Sequence, residues 1–149
     1  MTDDLKKNVC IVCMANYCRS PVAEALFKKK FEDKYNFYSA GLNPMVSAGM
    51  DPRSLKFLKE EECNFKIHSP QKIDINLVNL SDLVLAFDPL ILNELNRKFK
   101  NYKNKFKLFN FQFLKIRILD PYKLSDKEYK DSLEKIKYIV DNLEFESIL

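Results

Sequence analysis

The chain has 149 residues, of which 46% are hydrophobic and 31% charged, so residues 1–149 are expected to form a single domain with its own core rather than a disordered segment. The formal net charge of +4 comes with no recognition motif, which argues against a nucleic-acid-binding surface. No apolar run reaches the ~20 residues of a membrane span, and the polar stretch from Met1 to Lys7 is unlike a signal peptide, so a cytoplasmic protein without membrane insertion is expected.

Asn8 to Met14 is a continuous apolar run, as in a strand buried on both faces. The segment Cys13-Met14-Ala15-Asn16-Tyr17-Cys18-Arg19-Ser20-Pro21 leaves that strand and enters a helix. Ser20-Pro21 has the form of an N-cap followed by proline at the first helical position. Ala23, Leu26, Phe27 and Phe31 mark the buried side of this helix, and Lys28-Lys29-Lys30 reads as its solvated side. Phe37 to Ala40 is a second strand. Asp51-Pro52 opens a second helix, with Leu55 and Leu58 inward. Asp82 to Phe87 is a third strand, and Asp88-Pro89 caps the helix carrying Leu92, Leu95 and Phe99. The lysines from Lys98 to Lys107 read as solvated, and Lys105 to Phe109 is the fourth strand. Ser125 and Glu128 form a capping box for the last helix, whose apolar stripe is Tyr129, Leu133, Ile136, Val140 and Leu143.

Strands alternating with helices give an α/β fold class: a three-layer, four-stranded parallel sheet with helices on both faces. Ligands of such sheets bind beyond the carboxyl ends of the strands, near a switch in strand order. The first strand ends at Cys13, so pattern and motif meet there.

A cysteine followed five residues later by Arg-Ser suits thiol-based phosphoryl chemistry. The turn from strand to helix lets the backbone N–H groups of the loop from Cys13 to Arg19 converge, and the helix adds the positive end of its dipole. Such a nest favours a phosphate dianion and a thiolate alike. Arg19 offers a planar fork to two phosphate oxygens, which lysine does not. Asp120-Pro121-Tyr122 supplies the proton donor that the loop lacks. Read alone, Cys13 would be a buried small hydrophobe. Asn16, Arg19 and Ser20 at this spacing outweigh that reading. The four cysteines Cys10, Cys13, Cys18 and Cys63 do not look like a disulfide framework. Zinc is not expected, because the single histidine, His68, has no companions at ligand spacing. Amides and arginine can do the electrostatic work, so neither metal nor cofactor is expected.

Cys13 to Pro21, followed by Val22-Ala23-Glu24-Ala25, resembles the signature of the low-molecular-weight protein tyrosine phosphatases. The resemblance continues through Ser39-Ala40-Gly41, Asp51-Pro52-Arg53, His68 with Gln71-Lys72-Ile73, and Asp120-Pro121-Tyr122. It implies a flavodoxin-like fold of the phosphotyrosine phosphatase I type. It also implies Cys13 as a nucleophile forming a phosphocysteine, Arg19 as phosphate clamp and Asp120 as general acid and base. Met14, Ala15, Asn16, Tyr17, Cys18 and Ser20 would bind the phosphate, with Ser20 also bonding the thiolate. Asn16, Ser39 and His68 would hold the loop's shape, and Tyr122 would meet the substrate ring. Ser39-Ala40-Gly41-Leu42 and Leu108-Phe109 most resemble the bacterial branch serving tyrosine autokinases of polysaccharide export. The implied partner is a phosphotyrosine protein, such as one of those kinases, met by a monomer or weak dimer.

The chain departs from the family pattern in places. Ala15 stands where glycine is usual, so a slightly altered loop is expected there. Tyr17 replaces the usual aliphatic residue, and its bulk argues against phosphoarginine, whose phosphatases favour threonine. Lys123 stands where a second tyrosine is common. Asp88 reads as a helix cap. Cys18, close to Cys13 on a tight loop, is placed for a reversible disulfide under oxidation. Two other functions fit the same loop. A thioredoxin-coupled arsenate reductase would need two further cysteines near the third strand, where Ser81 to Asp88 has none. A silent phosphotyrosine-binding module would have lost its nucleophile, arginine or acid, and all three are present.

Overall fold

Val9 to Cys13 are each at most 3% exposed, as a strand paired on both edges and covered on both faces must be. The structure is a computed structural model describing residues 5–31, 33–65 and 67–149. Its elements are β1 (Asn8–Cys13), α1 (Arg19–Phe31), β2 (Asn36–Gly41), α2 (Pro52–Glu60), α3 (Ile75–Leu80), β3 (Leu83–Ala86), α4 (Pro89–Lys98), β4 (Phe106–Leu108) and α5 (Asp126–Asn142). Single 3-10 segments cover Lys100–Lys105 and Phe145–Ser147.

The strands lie in the order β2-β1-β3-β4 and every pairing is parallel, as the alternating pattern implies. The chain runs from β1 outward to β2, then crosses back over β1 to β3. Right-handed crossovers in opposite directions place helices on opposite faces. α1 packs on α5 and β2, whereas α4 packs on β3 and β4. The switch lies between β1 and β3, and the loops leaving their carboxyl ends open a crevice there. Cys13 ends β1 and pairs in register with Gly41, while Val12 pairs with Ala86 at the end of β3. Cys10 and Cys13 are three positions apart on β1, so they point to opposite faces of the sheet and cannot share an ion.

Several local expectations hold. Asp51 and Asp88 each accept a backbone N–H at their helix starts, from Arg53 at 2.8 Å and Ile91 at 3.0 Å. The Ser125–Glu128 capping box is formed. Others are corrected. α1 begins at Arg19, so Ser20 lies inside the first turn and is no N-cap. Pro21 is tolerated there because first-turn N–H groups have no helical partner. α4 buries Ile91 and Leu95, with Leu92 and Phe99 only partly covered. The sequence pattern passes over α3, a six-residue helix capped by Asp74 that buries only Val78.

The lysine clusters also need correction, because they are more than solvated faces. Lys29 donates to the Glu61 carbonyl at the end of α2, and Lys30 to the Val140 and Asp141 carbonyls of α5. Lys105 donates to Val78 and Asn79 at the end of α3. Neither α3 nor α5 has a basic residue in its own last turn. These lysines therefore bond carbonyls in or just past the last turns, at the negative end of each helix dipole. Under α1, Phe27 stacks on Phe37 with centroids 5.0 Å apart and meets Phe145 at 5.3 Å, so the chain's end is packed into the first layer. Among the described residues no helix is long and apolar enough to cross a membrane.

Replacing Lys30 with methionine keeps the aliphatic stem and removes the cap. Urea unfolding should then show a loss of about 0.5–1 kcal/mol, and an unchanged midpoint would contradict the capping role.

Candidate active site

The loop between β1 and α1 is held by its carbonyls. Leu42, Asn43 and Met45 donate their N–H groups to the carbonyls of Cys13, Met14 and Ala15 at 3.1, 2.8 and 2.9 Å. His68 Nε2 lies 2.6 Å from the Asn16 carbonyl. Asp51 N–H donates to the Tyr17 carbonyl at 3.1 Å, and Ser54 Oγ to the Cys18 carbonyl at 3.0 Å. Carbonyls 13 to 18 therefore all point outward. There is no cis peptide bond among the described residues, and in a trans peptide the N–H lies opposite the C=O. The N–H groups of residues 14 to 19 are thus turned toward the loop's interior. Such inward donors form an anion nest, and the N-terminus of α1 adds its dipole.

Asn16 is the pivot of this arrangement. Its φ is +53°, a left-handed conformation that asparagine tolerates better than most residues. Its side chain is fully buried and its bonds fix its orientation. Gln71 N–H donates to Asn16 Oδ1 at 2.9 Å, so Nδ2 is the end that donates to Ser20 Oγ at 2.8 Å and Ser39 Oγ at 3.0 Å. Ser39 already accepts from Asn16, so it passes its own proton toward the Glu24 carboxylate. Ser20 likewise accepts from Asn16, leaving its hydroxyl hydrogen for Cys13 Sγ, 2.9 Å away. Since the Asn16 carbonyl only accepts, His68 carries its proton on Nε2. Beneath the loop, a Cβ at Gly41 would come within 2.7 Å of the Met14 carbonyl oxygen and 2.9 Å of the Asn16 nitrogen. Only glycine leaves room for the loop to lie this close to β2.

Cys13, Met14, Ala15, Tyr17, Cys18, Arg19, Met45, Asp120 and Tyr122 line one cavity of about 150 Å³. At ~30 Å³ per water this is room for about five waters, the scale of a phosphate group and the start of its ester. Cys13 is at the floor, with only 3% exposure. Asp120, half exposed, lines the same cavity beside Arg19. Arg19 is 2% exposed, and a buried guanidinium needs compensation. Its Nη2 lies 3.3 Å from Asp88 Oδ2 and 3.9 Å from Asp120 Oδ2, and its Nη1 donates to the Ile118 carbonyl at 3.3 Å. The guanidinium carbon also sits 5.1 Å over the Phe87 ring. Each Nη keeps a further hydrogen for an incoming anion. The Tyr17 and Tyr122 rings meet edge to face at 6.0 Å at the cavity mouth. Burial, then the nearby Asp51 carboxylate, raises the pKa of the Tyr17 hydroxyl.

The structure therefore gathers most of the sequence-derived site residues, with refinements. The side chains of Asn16 and Ser20 bond behind the cavity wall, with Ser39, and His68 holds the Asn16 carbonyl, while the Asn16 N–H is among those turned inward. Ala15 is not the residue with positive φ, so alanine meets no left-handed strain there: the left-handed turn falls on Asn16. Asp88 caps α4 and also pairs with Arg19. Met45, Gly41, Gln71 and Glu24 carry parts of the site that spacing alone did not single out, although Glu24 follows the loop motif closely. Cys13 and Cys18 are both free thiols. Burial pushes the Cys18 thiol up to about 12. Cys63 bonds the Ala25 carbonyl, and Cys10 is wholly buried in β1. Among the described residues, no three acidic, histidine or cysteine side chains are grouped to hold a metal ion.

A doubly wound parallel sheet that delivers a thiol into an amide nest, beside a buried arginine, defines the class of cysteine-based phosphoryl-handling folds. Residues 8–148 match the family model of the low molecular weight phosphotyrosine protein phosphatases. The chain is 30% identical over 118 residues to the low molecular weight protein-tyrosine-phosphatase Wzb of Escherichia coli K12, covering 79% of this chain and 80% of Wzb. It is 38% identical over 81 residues to an arsenate reductase of Bacillus cereus, covering 54% of this chain and 58% of that protein. A YwlE mutant from Bacillus subtilis superposes with a TM-score of 0.82 at 26% identity, covering 91% of this chain and 94% of that one. The chain belongs to the low molecular weight phosphotyrosine protein phosphatase family.

Gly41→Ala tests the nest directly. Its Cβ must push the loop backbone, and a shift of ~1 Å in a positioned group costs about a hundredfold in rate. Inorganic phosphate should bind roughly tenfold or more weakly by calorimetry while the protein stays folded. Unaltered phosphate affinity would show that loop shape does not depend on this contact.

Proposed function

We propose that this protein hydrolyses phosphotyrosine in proteins through a phosphocysteine on Cys13. The observation that carries the reading is that the buried Cys13, at the start of a loop of inward amides, shares one small cavity with Asp120. The amides and Arg19 bind the phosphate's non-bridging oxygens. This is electrostatic stabilisation of a loose, metaphosphate-like transfer. The Cys13 thiolate attacks phosphorus, the bond from phosphorus to the phenolic oxygen breaks, and Asp120 gives its proton to that oxygen. Tyrosine leaves and an S–P bond has formed. A water then attacks phosphorus, Asp120 takes its proton, the S–P bond breaks and inorganic phosphate departs. The Ser20 hydroxyl, oriented by Asn16, donates to the departing thiolate. Another YwlE structure is of an arginine phosphatase with a phosphorylated active-site serine, which supports a covalent step at this position of the fold.

Tyr17 and Tyr122 frame the mouth as aromatic walls, which suits a phenyl ring better than a hydrated guanidinium. Phosphotyrosine is therefore the substrate class rather than phosphoarginine. The arsenate reductase reading is disfavoured because Cys10 and Cys63 are buried away from the cavity. Cys18 is the other thiol at the cavity, and its thiolate is suppressed. Four unpaired thiols fit a reducing cytoplasm. By resemblance to the polysaccharide-export branch, a tyrosine autokinase is the partner we would test first.

Hydrolysis of an aryl phosphate should fall by about 10³-fold or more in Cys13→Ser and by roughly 10²–10³-fold in Asp120→Asn. Phosphotyrosine peptide should be turned over much faster than phosphoarginine peptide. Equal rates in wild type and both variants would refute the mechanism.

A further inference from the structure

We infer that Arg53 is the positioning residue for Asp120, holding the acid turn in register with the phosphate loop; this rests on the function proposed above. Arg53 is the second residue of α2 and does not line the cavity. Its guanidinium nevertheless joins both halves of the site. Nε and Nη2 form a planar fork on Asp51, at 3.1 Å to each carboxylate oxygen. Nη2 also donates to the Tyr122 carbonyl at 3.0 Å, and Nη1 to the Leu124 carbonyl at 3.2 Å. Nη1 further lies 3.6 Å from Asp126 Oδ1. The guanidinium thus directs its donors to the α2 cap, the acid turn and the start of α5. Its carbon rests 3.9 Å over the Tyr129 ring, a platform that suits a flat guanidinium better than an ammonium.

Each end of this bridge is tied to the site. Asp51 is only 4% exposed, and its N–H holds the Tyr17 carbonyl. Ser54, next on α2, holds the Cys18 carbonyl and meets the Tyr129 hydroxyl at 2.6 Å. On the other side, Leu124 N–H closes a turn on the Pro121 carbonyl at 3.0 Å, and Tyr122 N–H holds Asp120 Oδ1 at 3.2 Å. The Asp120 carboxyl is therefore placed by its turn, and Arg53 grips the Tyr122 and Leu124 carbonyls of that same turn. Asp120 is half exposed and its Oδ2 is 3.9 Å from Arg19, a separation too long to fix it. Lysine, a point donor without a fork, cannot hold Asp51 and two separate carbonyls together.

A positioning residue for the acid should matter in proportion to how much the leaving group needs a proton. The test compares kcat/KM for phenyl phosphate, whose phenolate is a poor leaving group, with that for 2,4-dinitrophenyl phosphate, whose dinitrophenolate departs unprotonated. The proteins are wild type, Arg53→Lys, Arg53→Gln, Asp120→Asn and the double variant Arg53→Lys/Asp120→Asn, each checked by thermal melting. General acid catalysis is worth about 10²–10⁴-fold. Arg53→Lys should therefore lose roughly 10–100-fold on phenyl phosphate and under about threefold on the dinitrophenyl ester. Adding it to Asp120→Asn should cost nothing further, since residues acting as a unit are not additive. Arg53→Gln, whose planar amide keeps some of the donors, serves if the lysine variant does not fold. Equal losses on both esters, or losses that multiply with Asp120→Asn, would overturn the positioning role and leave the phosphatase reading standing. If Asp120→Asn itself shows no dependence on leaving group, the phosphatase reading fails and this inference falls with it.

Discussion

The outward bonding of the carbonyls of residues 13 to 18 is the constraint on which the rest of the site depends. A short loop has no intrinsic reason to point a run of amides at one spot; left to itself it would satisfy them with water or neighbouring turns. Here the acceptors are claimed from outside by the chain segments after β2, by His68 and by the start of α2. The donors face inward as a consequence of peptide planarity. Their convergence gives a binding site for an anion without placing a charged side chain for each oxygen. The cost is a cluster of like dipoles, which the asparagine pivot and the close seat on Gly41 keep in place.

The strand order converts this local device into an active site. β1 and β3 are parallel neighbours whose following connections turn to opposite faces at the switch point, so the Cys13 loop and Asp88 meet at the same end of the sheet. Arg19, at the start of α1, can then reach Asp88 and stay charged though buried. The Phe87 and Phe109 rings, stacked with centroids 4.5 Å apart, close the space beneath it. Asp120 arrives from late in the chain on a turn that approaches α1 through Arg19 and α2 through Arg53. The site's geometry is thus shared between the carboxyl end of the central strands and a surface turn, and the turn is the part that needs a tether.

The legible parts of the sequence were those governed by local chemistry. The β1 run, the Cys13 to Ser20 spacing, the Asp51, Asp88 and Ser125 caps and the Asp120-Pro121-Tyr122 turn are each written in neighbouring residues. The less legible parts depend on contacts across the fold. Ser20 looks like a cap because Ser-Pro usually is one, yet its hydroxyl serves Cys13. Ala15 draws attention because glycine is usual there, while the left-handed conformation falls on Asn16, which a hydrogen-bond network rather than composition selects. α3 is too short to show a period. Lys29, Lys30 and Lys105 read as solvated charge until the helix ends they reach are known. Arg53 sits in a recognisable Asp-Pro-Arg start, but its hold on residues 122 and 124 crosses some seventy positions of chain.

The central claim is that a Cys13 thiolate held in this nest accepts the phosphoryl group. It is tested most directly by trapping the adduct. With 2,4-dinitrophenyl phosphate, Asp120→Asn should pass the first step, which needs no acid, and stall at the second, which needs the base. Rapid acid quench and intact mass spectrometry should then show one added phosphoryl group, mapped by fragmentation to Cys13 and absent in Cys13→Ser. Turnover of that ester with no adduct at any time, or an adduct on another residue, would contradict the account.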